Sequence, residues 1–532
     1  MAKEKKEKSL EASLWDTCNK LRGSVEPSEY KHVMLSLIFL KYANDKFDLQ
    51  RQKMIDEGYS KYLEIVSFYT KDNIFFIPEV ARWKYLMSQA KQEDLPIKID
   101  TALHEVEKAN SSTLAGALPD NYYSRLGIDS RTLGSLLDKL NEIDLNKEPD
   151  KDIFGRVYEY FLSHFALQEG KGKGEYFTPK TVVSLLCELI EPYKGKVYDG
   201  ASGSGGMFVQ SAKFIEEHKG NKKNISVYGQ EYTATTLKLS KMNLAIRGIS
   251  SNFGQAVSTL TNDQHPDLKV DFSLMNPPFN QKEWRNSGEH EDDPRWKGYT
   301  VPPVSNANYA WILNMISKLG QDGTGALILA NGALSADGAE YEIRRQILKN
   351  DLVEAILILP QNMFYTTNIS VSVWIFNKNK KARTTIMGRK LRDRTGEVLF
   401  MDLRQKGHPY EKKYIEFTPE DRKEITDIFH NWQSPEWKDN YLNIKDLCES
   451  VKIENKDLTE EDKNNNVRTI ESMDYSLVVS KYIEFNKQTS NADYDSEMKK
   501  LQNELSILFK EEEESKKELL NVLEEMGYGI KL

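Results

Sequence analysis

The sequence has few of the residues that build disulfide or metal frameworks. Of its 532 residues only three are cysteines, at positions 18, 187 and 448, and the eight histidines are scattered; this spacing fits neither a disulfide pattern nor a zinc motif. No apolar run is long enough to span a bilayer, and the lysine-rich start lacks the apolar core of a signal peptide. We therefore expect a protein of the reducing cytoplasm, with no metal and no membrane partner.

An excess of positive charge is also missing. The chain has 73 Lys and Arg residues against 81 Asp and Glu residues, a formal net charge of −8. Because non-specific DNA affinity rests on basic side chains that contact phosphates, this balance argues against a protein that grips DNA over its whole surface. The richest basic stretch, residues 378–394, predicts either a loop that lies on phosphates or a solvated basic hairpin.

The pattern of apolar residues divides the chain into four parts. Apolar positions at helical spacing predict an all-helical N-terminal domain over residues 1–150. Strands that alternate with helices over residues 151–433 predict an α/β catalytic domain with a mostly parallel sheet. A charged connecting region over residues 434–490 and a helical tail over residues 491–532 follow. The apolar stripe of the tail could pair with a helix of another chain or pack on the N-terminal domain.

The most informative motif is Asn276-Pro277-Pro278-Phe279, which follows an apolar strand pattern at residues 270–275. An amino nitrogen conjugated to a purine ring is a poor nucleophile, and an enzyme activates it by accepting hydrogen bonds from both of its N–H groups. The Asn276 side-chain oxygen and a proline carbonyl can accept them, the prolines stiffen the loop, and Phe279 can stack on the base. The motif thus predicts methyl transfer to an exocyclic amino group. A plain turn is the alternative, since Asn-Pro and Pro-Pro also mark ordinary loops.

A glycine-rich turn stands upstream of this motif. A strand pattern at residues 195–199 leads into glycines and then into a helix over residues 207–218. Strand, glycine turn and helix is the order of Rossmann-like nucleotide-binding folds, in which the backbone approaches the ligand closely and the helix start offers unpaired N–H groups. The spacing does not match G-x-G-x-x-G, so a dinucleotide fits poorly. S-adenosylmethionine (SAM) has no pyrophosphate and does not need that spacing.

Two further elements agree with a SAM site. A second strand at residues 225–229 is followed by Glu231, where an acidic residue can bond both ribose hydroxyls; a solvated loop carboxylate is the alternative. Thr178 is a candidate N-cap, and Pro179 the first residue, of a helix that includes residues 182–189. The start of that helix could bind the carboxylate of the methionine moiety. Capping alone, or a plain loop, would also explain Thr178 and Pro179.

These motifs follow one another in the order of a known family. The chain resembles the modification subunit of type I restriction-modification systems, HsdM, which is a SAM-dependent N6-adenine DNA methyltransferase. The resemblance extends over nearly the whole chain. It includes segments more specific than the Asn-Pro-Pro-Phe motif, namely residues 14–23, 28–42, 305–311, 330–332 and 396–400.

The resemblance implies a role for particular residues and partners. Asn276, Pro277, Pro278 and Phe279 would hold an adenine extruded from double-stranded DNA. The residues that would contact SAM are Glu175, Tyr176, Phe177, Thr178, Pro179, Lys180, Asp199, Gly203, Ser204, Gly205, Gly206 and Glu231. The implied partners are a specificity subunit that supplies the target sequence, a second copy of the modification subunit and, optionally, a nuclease and translocase subunit for restriction.

The glycine turn departs from the family pattern at two positions. Gly200 stands where Pro is usual and Ser202 where Cys is usual. Both residues keep the turn small, so we expect SAM binding to survive. A scaffold subunit that has lost SAM is an alternative function, and the retention of Asn276 and Glu231 speaks against it.

The same residues are compatible with two other methyltransferase functions, which other features of the chain disfavour. A stand-alone adenine DNA methyltransferase would need its own target-recognition domain, for which the C-terminal part looks too short and too charged. Methylation of a glutamine amide in a protein is disfavoured by Phe279 and by the large flanking domains.

Two ligand contacts are left open by the sequence. An acidic residue that family members often have after the third strand has no counterpart near residues 254–256, where Gln255 or Ser258 could substitute. Tyr365 could contact the extruded base, although we favour a core aromatic at the end of a strand.

Overall fold

The computed structural model describes residues 15–16, 27–142, 153–169, 178–365, 367–410, 414–485 and 494–525. Glu175, Tyr176 and Phe177 lie outside the described residues, so the structure leaves their predicted contacts with SAM untested. The chain divides into two compact units, Met1–Ile483 and Glu484–Leu532.

The first part of the larger unit is helical, which confirms the prediction for this region. Its helices are α1 (Pro27–Asp56), α2 (Ser67–Thr70), α3 (Trp83–Ser88), α4 (Leu95–Ala109), α5 (Ser111–Leu114), α6 (Tyr122–Leu126), α7 (Ser130–Asn141) and α8 (Ile153–Glu169). They enclose one apolar cluster, in which Leu35 and Phe39 of α1 are fully buried. The hydroxyl of Tyr158 on α8 donates to the carbonyl of Leu239 at 3.0 Å. Helix α8 thereby ties the helical part to the α/β part.

A nine-stranded sheet forms the centre of the α/β part. The described part of the chain has thirteen strands, nine of them in this sheet. In chain order they are β1 (Gly195–Asp199), β2 (Ile225–Gly229), β3 (Ser251–Phe253), β4 (Val270–Met275), β5 (Leu319–Ala330), β6 (Val353–Ile358), β7 (Val371–Asn377), β8 (Arg383–Thr384), β9 (Lys390–Leu391), β10 (Glu397–Asp402), β11 (His408–Tyr410), β12 (Tyr414–Glu416) and β13 (Cys448–Lys452). The sheet has the order β13-β10-β6-β7-β5-β4-β1-β2-β3, while β8 with β9 and β11 with β12 form separate pairs.

The sheet is mostly parallel, as the sequence predicts. Strands β3, β2, β1, β4 and β5 run parallel to one another, and β10 is parallel to β6. Strand β7 runs antiparallel between β5 and β6, and β13 runs antiparallel beside β10. Because β2 and β4 lie on opposite sides of β1, the chain reverses its winding direction there. In open α/β sheets a crevice for a ligand opens at this point, at the carboxyl ends of the strands.

Helices cover both faces of the sheet. In chain order the helices of this part of the chain are α9 (Lys180–Ile190), α10 (Gly206–Glu217), α11 (Ala234–Ile246), α12 (Asn308–Lys318), α13 (Ala339–Lys349), α14 (Pro419–Gln433), α15 (Trp437–Asn440) and α16 (Glu460–Asn464). Apolar residues of α9, α10 and α14 form the core on one face, and those of α12 and α13 form the core on the other. With both faces covered, every residue of β6 and β7 is buried, which explains why these strands are mostly apolar.

Carboxylates hold part of the basic stretch, residues 378–394, inside the protein. Lys380 and Arg394 are buried, at 3% and 0% exposure. Lys380 pairs with Asp351 at 2.5 Å, and Arg394 pairs with Glu354 at 2.6 Å. Burial by itself would raise the pKa of Glu354, but the neighbouring Arg394 guanidinium lowers this pKa to about 2.

Three more basic residues of this stretch form ion pairs, Arg383 with Asp322, Arg389 with Glu191 and Arg392 with Glu397. The stretch also follows β7, whose antiparallel direction carries the chain to the amino ends of the parallel strands, away from the crevice. The phosphate-binding loop and the solvated basic hairpin are therefore both wrong for the buried Lys380, Arg392 and Arg394. Lys378, Lys381 and Lys390 of the same stretch are exposed, and for them both interpretations stay predictions.

Most of the predicted charged connecting region, residues 434–490, belongs to the larger unit, which ends at Ile483. Strand β13 pairs with β10, and Ile470 and Leu477 are fully buried among the apolar residues of the sheet. The amide of Leu477 donates to the carbonyl of Leu334 at 2.8 Å. The many charged residues of this segment are interspersed with apolar residues that join the core.

The described part of the smaller unit is one long helix, α17 (Tyr494–Glu525), which confirms a helical tail. Its exposed apolar residues include Met498, Leu501, Leu505, Ile507, Leu508, Phe509, Leu519 and Val522. Across the described ranges, no helix combines the length and the apolar character needed to cross a membrane.

Candidate active site at the carboxyl ends of the strands

The structure brings the three sequence motifs to one edge of the sheet. The glycine turn follows β1, Glu231 follows β2 after one residue, and Asn276 follows β4 directly. Strand β1 lies between β2 and β4, with Asp199 paired to Gly229 in register. Parallel strands end on the same side, so their following loops meet above the reversal point of the sheet.

The side-chain amide of Asn276 uses its nitrogen in a hydrogen bond, while its oxygen has no partner among the described residues. Its Nδ2 donates to the Thr178 hydroxyl at 2.8 Å. The residue is only 7% exposed, and its Oδ1 atom is buried with no hydrogen-bond partner among the described residues. A buried acceptor without a partner is uncommon and costs about 1–3 kcal/mol. Asn276 thus presents a fixed acceptor at the mouth of the crevice.

Thr178 has a different partner from the one predicted. Helix α9 begins at Lys180 with Pro179 as its N-cap, and the Pro179 side chain makes no capping hydrogen bond. The carbonyl of Pro179 accepts from the amides of Val182 and Val183. The prediction of Thr178 as N-cap is wrong by one position, because its hydroxyl accepts from Asn276 instead of from the first helical turn.

The rest of the motif and the preceding segment lie nearby. Pro277 is buried, while Pro278 and Phe279 are partly exposed. Phe279 packs against the apolar core on the face of α9 and α10. The Lys180 ammonium lies 3.3 Å from the Glu159 carboxylate of α8.

The glycine turn is closed by backbone hydrogen bonds. The Asp199 carboxyl accepts from the amide of Ala201 at 3.0 Å, and the amide of Ser202 donates to the carbonyl of Gln230 at 3.1 Å. Gly203 and Gly205 have φ of 52° and 83°, the left-handed region that favours glycine. The turn therefore needs glycine for its shape as well as for the approach of a ligand.

Asp199 is fully enclosed by this turn. Its burial, with the Glu231 carboxylate nearby, raises the pKa of Asp199 to about 8. Within the turn its role is that of a hydrogen-bond acceptor for the amide of Ala201.

Glu231 joins the second strand to the glycine turn. Its Oε2 accepts from the amide of Gly203 at 3.0 Å, and its Oε1 accepts from the amide of Thr233 at 2.9 Å. The side chain is partly exposed. Its two hydrogen bonds to backbone amides exclude a merely solvated loop carboxylate.

Tyr232 is a candidate that the sequence analysis missed. It follows Glu231 directly and is 72% exposed, so its ring is available to a flat ligand at this edge. An aromatic residue next to the acidic residue after β2 is the signal that could have found it. Gln255 and Ser258 lie beyond β3, exposed and partly exposed respectively, and their contacts with SAM stay a prediction.

Gly200, the first departure from the family pattern, has a structural reason. A Cβ atom at this position would lie 2.7 Å from the Tyr198 hydroxyl and 3.1 Å from a methyl group of Thr259. Tyr198 is fully buried, so it cannot move aside easily. The side chain that most family members have here is excluded by Tyr198.

We predict that Gly200→Ala destabilises the protein by about 1–3 kcal/mol, the usual cost of overpacking. Tyr198→Phe removes the hydroxyl that the new Cβ would meet, so the double variant should recover part of the loss. Urea unfolding of the four proteins in a double-mutant cycle measures this coupling. Additive effects of the two substitutions would contradict the assigned clash.

A cavity of about 380 Å³ adjoins the site. Thr178, Ser204 and Gly206 line it on the side of the site, whereas Asn276 and Glu231 lie outside its lining. Its other walls come from α8, α9, α10, the loop before β7 and the β11–β12 pair, and include the aromatic residues Tyr160, Tyr365, Tyr410 and Tyr414.

Tyr365 lies on the wall of this cavity. It is partly exposed and meets the ring of Tyr414 edge to face, with 4.8 Å between ring centroids. The expectation of a core aromatic is therefore wrong for Tyr365. No three His, Cys, Asp or Glu side chains in the described part of the chain are grouped so as to hold a metal ion.

The fold and the site together define a class of protein. A mostly parallel sheet with an antiparallel β7, a glycine turn after β1, an acidic residue after β2 and Asn-Pro-Pro-Phe after β4 are the features of a methyltransferase that acts on an amino group. Comparison with known proteins places the chain within this class. Residues 149–491 match the N-6 DNA Methylase family, and residues 10–140 match the HsdM N-terminal domain.

Individual relatives agree with these matches. The methylase subunit of the type I restriction enzyme HindI from Haemophilus influenzae is 44% identical over 67% of this chain and 78% of its own. The MjaIX methylase subunit from Methanocaldococcus jannaschii is 31% identical over 98% of this chain and 92% of its own. The crystal structure of the type I methyltransferase subunit from Streptococcus thermophilus has the same fold, with a TM-score of 0.67, 22% identity, and coverage of 89% of this chain and 99% of that one.

The chain belongs to the N-6 DNA methylase family, as a type I modification subunit. It is a SAM-dependent, adenine-specific DNA methyltransferase. The resemblance seen in the sequence, the fold class and the function predicted from them are confirmed.

Proposed function

We propose that Asn276 and a proline carbonyl of residues 277–278 accept hydrogen bonds from the two N–H groups of an adenine N6 atom. The observation that carries this proposal is the buried Oδ1 atom of Asn276, which has no partner among the described residues while Thr178 holds the Nδ2 atom. Accepting both N–H groups shifts electron density onto the nitrogen and turns its lone pair out of the ring plane. An acceptor fixed in advance contributes more than one that must first be oriented.

SAM fits the residues at the ends of β1 and β2, and it supplies a methyl group activated by a sulfonium charge. The left-handed Gly203 and Gly205 add no side chain to the turn, and a Cβ at Gly206 would meet no atom of another described residue within 4 Å, its chain neighbours and its own helix backbone aside. Helix α10 begins at Gly206, so its first amides face this space. We assign Glu231 to the ribose hydroxyls, the glycine turn to the methionine moiety, and Thr178, Pro179 and Lys180 to the adjoining wall.

The adenine reaches Asn276 only outside the double helix. Extrusion costs a few kcal/mol of lost stacking, and stacking on Phe279 would return about 1–3 kcal/mol. Tyr365, on the cavity wall near Thr178, is our second candidate for contact with the extruded base.

Reconstitution with a specificity subunit tests this function. The complex should transfer the methyl group of labelled SAM to one defined adenine in duplex DNA, and sequencing of the product should place it on N6. The modification subunit alone should bind SAM in calorimetric titration yet methylate DNA poorly. Absence of any heat of SAM binding would instead favour a scaffold subunit, and sequence-specific methylation without a partner would favour a stand-alone enzyme.

We further propose that α17 joins this chain to the specificity subunit. Met498, Leu501, Leu505 and Leu508 alternate at spacings of three and four residues, and Leu519 and Val522 resume the same repeat after Glu512 and Ser515 interrupt it. That spacing is the heptad seam by which helices pair in coiled coils. A second modification subunit, duplex DNA and an optional restriction subunit complete the proposed assembly. A cytoplasmic location and boundaries near residues 150, 433 and 490 remain part of the proposal.

Substitutions on α17 distinguish the seam from the rest of the helix. We predict that Leu508→Glu, within the seam, abolishes co-purification with the specificity subunit. Ile507→Glu, one residue away and outside the seam, should leave it intact, although both residues are exposed, at 58% and 56%. Pull-down with a tagged specificity subunit measures the difference. Equal effects of the two substitutions would argue against a heptad interface.

A further inference from the structure

The chain leaves the catalytic loop through an unusual backbone conformation. Asn280, the residue directly after Phe279, has φ of 52°, in the left-handed region. Residues other than glycine adopt this region rarely, and those that do so next to an active site must be held there by their surroundings.

Asn308, the first residue of α12, holds Asn280 with both ends of its amide. Its Oδ1 accepts from the backbone amide of Asn280 at 3.0 Å, and its Nδ2 donates to the Asn280 side-chain oxygen at 2.9 Å. Asn306 supports the pair, because its Nδ2 donates to the same oxygen at 3.3 Å and its Oδ1 accepts from the Asn308 amide at 2.9 Å. The three asparagines form a closed network of amide hydrogen bonds.

Helix capping does not explain this arrangement. The N-cap residue of α12 is Ala307, whose side chain makes no capping hydrogen bond, and Asn306 accepts from the first helical amide, so the Asn308 side chain is not used for capping. Asn308 is only 1% exposed, so its polar atoms must be satisfied inside the protein, and its side-chain oxygen and nitrogen both reach the loop after Phe279. The amide of Ala307 also donates to the carbonyl of Gln281 at 2.9 Å, which continues the attachment by one residue.

We propose that Asn308 is a positioning residue for methyl transfer. By holding Asn280 in the left-handed conformation, it anchors the downstream end of the Asn-Pro-Pro-Phe loop, while β4 anchors the upstream end. Phe279 and the proline carbonyls are thereby kept in register with the Asn276 acceptor. This inference rests on the proposed role of Asn276 in holding the adenine amino group.

The chemistry of the network gives a specific set of variants. Asn308→Leu keeps the approximate volume and removes both amide hydrogen bonds. Asn280→Ala removes the side-chain acceptor and disfavours the left-handed conformation. Asn280→Asp retains an acceptor for the two asparagine amides and tolerates that conformation, so it is the conservative control.

The experiment measures kcat, the KM for SAM and the calorimetric SAM affinity in the complex reconstituted with the specificity subunit. We expect Asn308→Leu and Asn280→Ala to lower kcat by roughly 10- to 100-fold, because a displacement of about 1 Å can have that effect. SAM affinity should change less than about twofold, and Asn280→Asp should stay close to the wild type. A purely structural role would lower SAM affinity and kcat together.

Three results would overturn the inference. They are an unchanged kcat in Asn308→Leu, a parallel loss of SAM affinity, and an Asn280→Asp variant as impaired as Asn280→Ala. If Asn308→Leu does not fold, the pair Asn280→Ala and Asn280→Asp decides the matter.

Asn276→Ala in the same assay separates the two proposals. If Asn276→Ala stays active, the proposed role of Asn276 is contradicted. If Asn276→Ala is inactive while Asn308→Leu has the kcat of the wild type, only the positioning role of Asn308 is contradicted.

Discussion

Replacing Asn276 with alanine is expected to abolish methylation while SAM affinity stays nearly intact. The substitution removes an acceptor that is already buried and oriented, and loss of one such preorganised group lowers kcat by roughly 10²- to 10³-fold. We expect the upper end of that range, because the Oδ1 atom has no other partner among the described residues. The SAM contacts that we assign lie on other loops, so calorimetric titration should give a SAM affinity close to that of the wild type.

A matched pair at Thr178 serves as the control for this prediction. Thr178→Ser keeps the hydroxyl that accepts from Asn276, whereas Thr178→Val removes it at nearly constant shape. The serine variant should therefore retain most of the kcat, and the valine variant should lose part of it as the amide of Asn276 gains freedom to rotate. If Asn276→Ala lost SAM affinity and kcat in equal measure, the role assigned to Asn276 would be contradicted.

Glu231→Ala is expected to show the reverse pattern, with SAM affinity lost first. The substitution removes the proposed contact with the ribose hydroxyls and also the acceptor for the amides of Gly203 and Thr233. Hydrogen bonds to a charged group contribute about 1.5–3 kcal/mol, which corresponds to roughly 10- to 100-fold in affinity. At saturating SAM, kcat should fall much less.

Titration calorimetry and steady-state kinetics on Glu231→Ala and Glu231→Gln measure this effect. The glutamine variant keeps one acceptor oxygen, so its loss should be the smaller of the two. An unchanged SAM affinity in Glu231→Ala would remove Glu231 from the proposed site.

The part of the fold that carries the site follows from local sequence patterns. The strands predicted at residues 195–199, 225–229 and 270–275 have those bounds in the structure, because each is a short apolar run ended by glycine, proline or a polar residue. Once three such strands are parallel neighbours, their following loops must share one edge of the sheet. The meeting of Asn276, Glu231 and the glycine turn was predictable on that ground.

Contacts between distant segments were not predictable in this way. Thr178 and Asn276 are 98 residues apart, and the capping preference of threonine describes only its own helix. The basic stretch shows the same limit, since a count of charges does not reveal that Asp351, Glu354 and Glu397 lie against it. The sequence marks Gly200 only as a departure from the family pattern, and the position of the Tyr198 hydroxyl explains it.

The most direct test of the account is a structure of the assembled complex with target DNA and a non-reactive SAM analogue. We predict that the adenine N6 atom lies about 2.7–3.2 Å from Asn276 Oδ1, with a proline carbonyl of the same loop accepting its second N–H group and the methyl-donor position of the analogue in line with N6. An adenine bound elsewhere, or an Asn276 amide that turns its nitrogen toward the base, would contradict it.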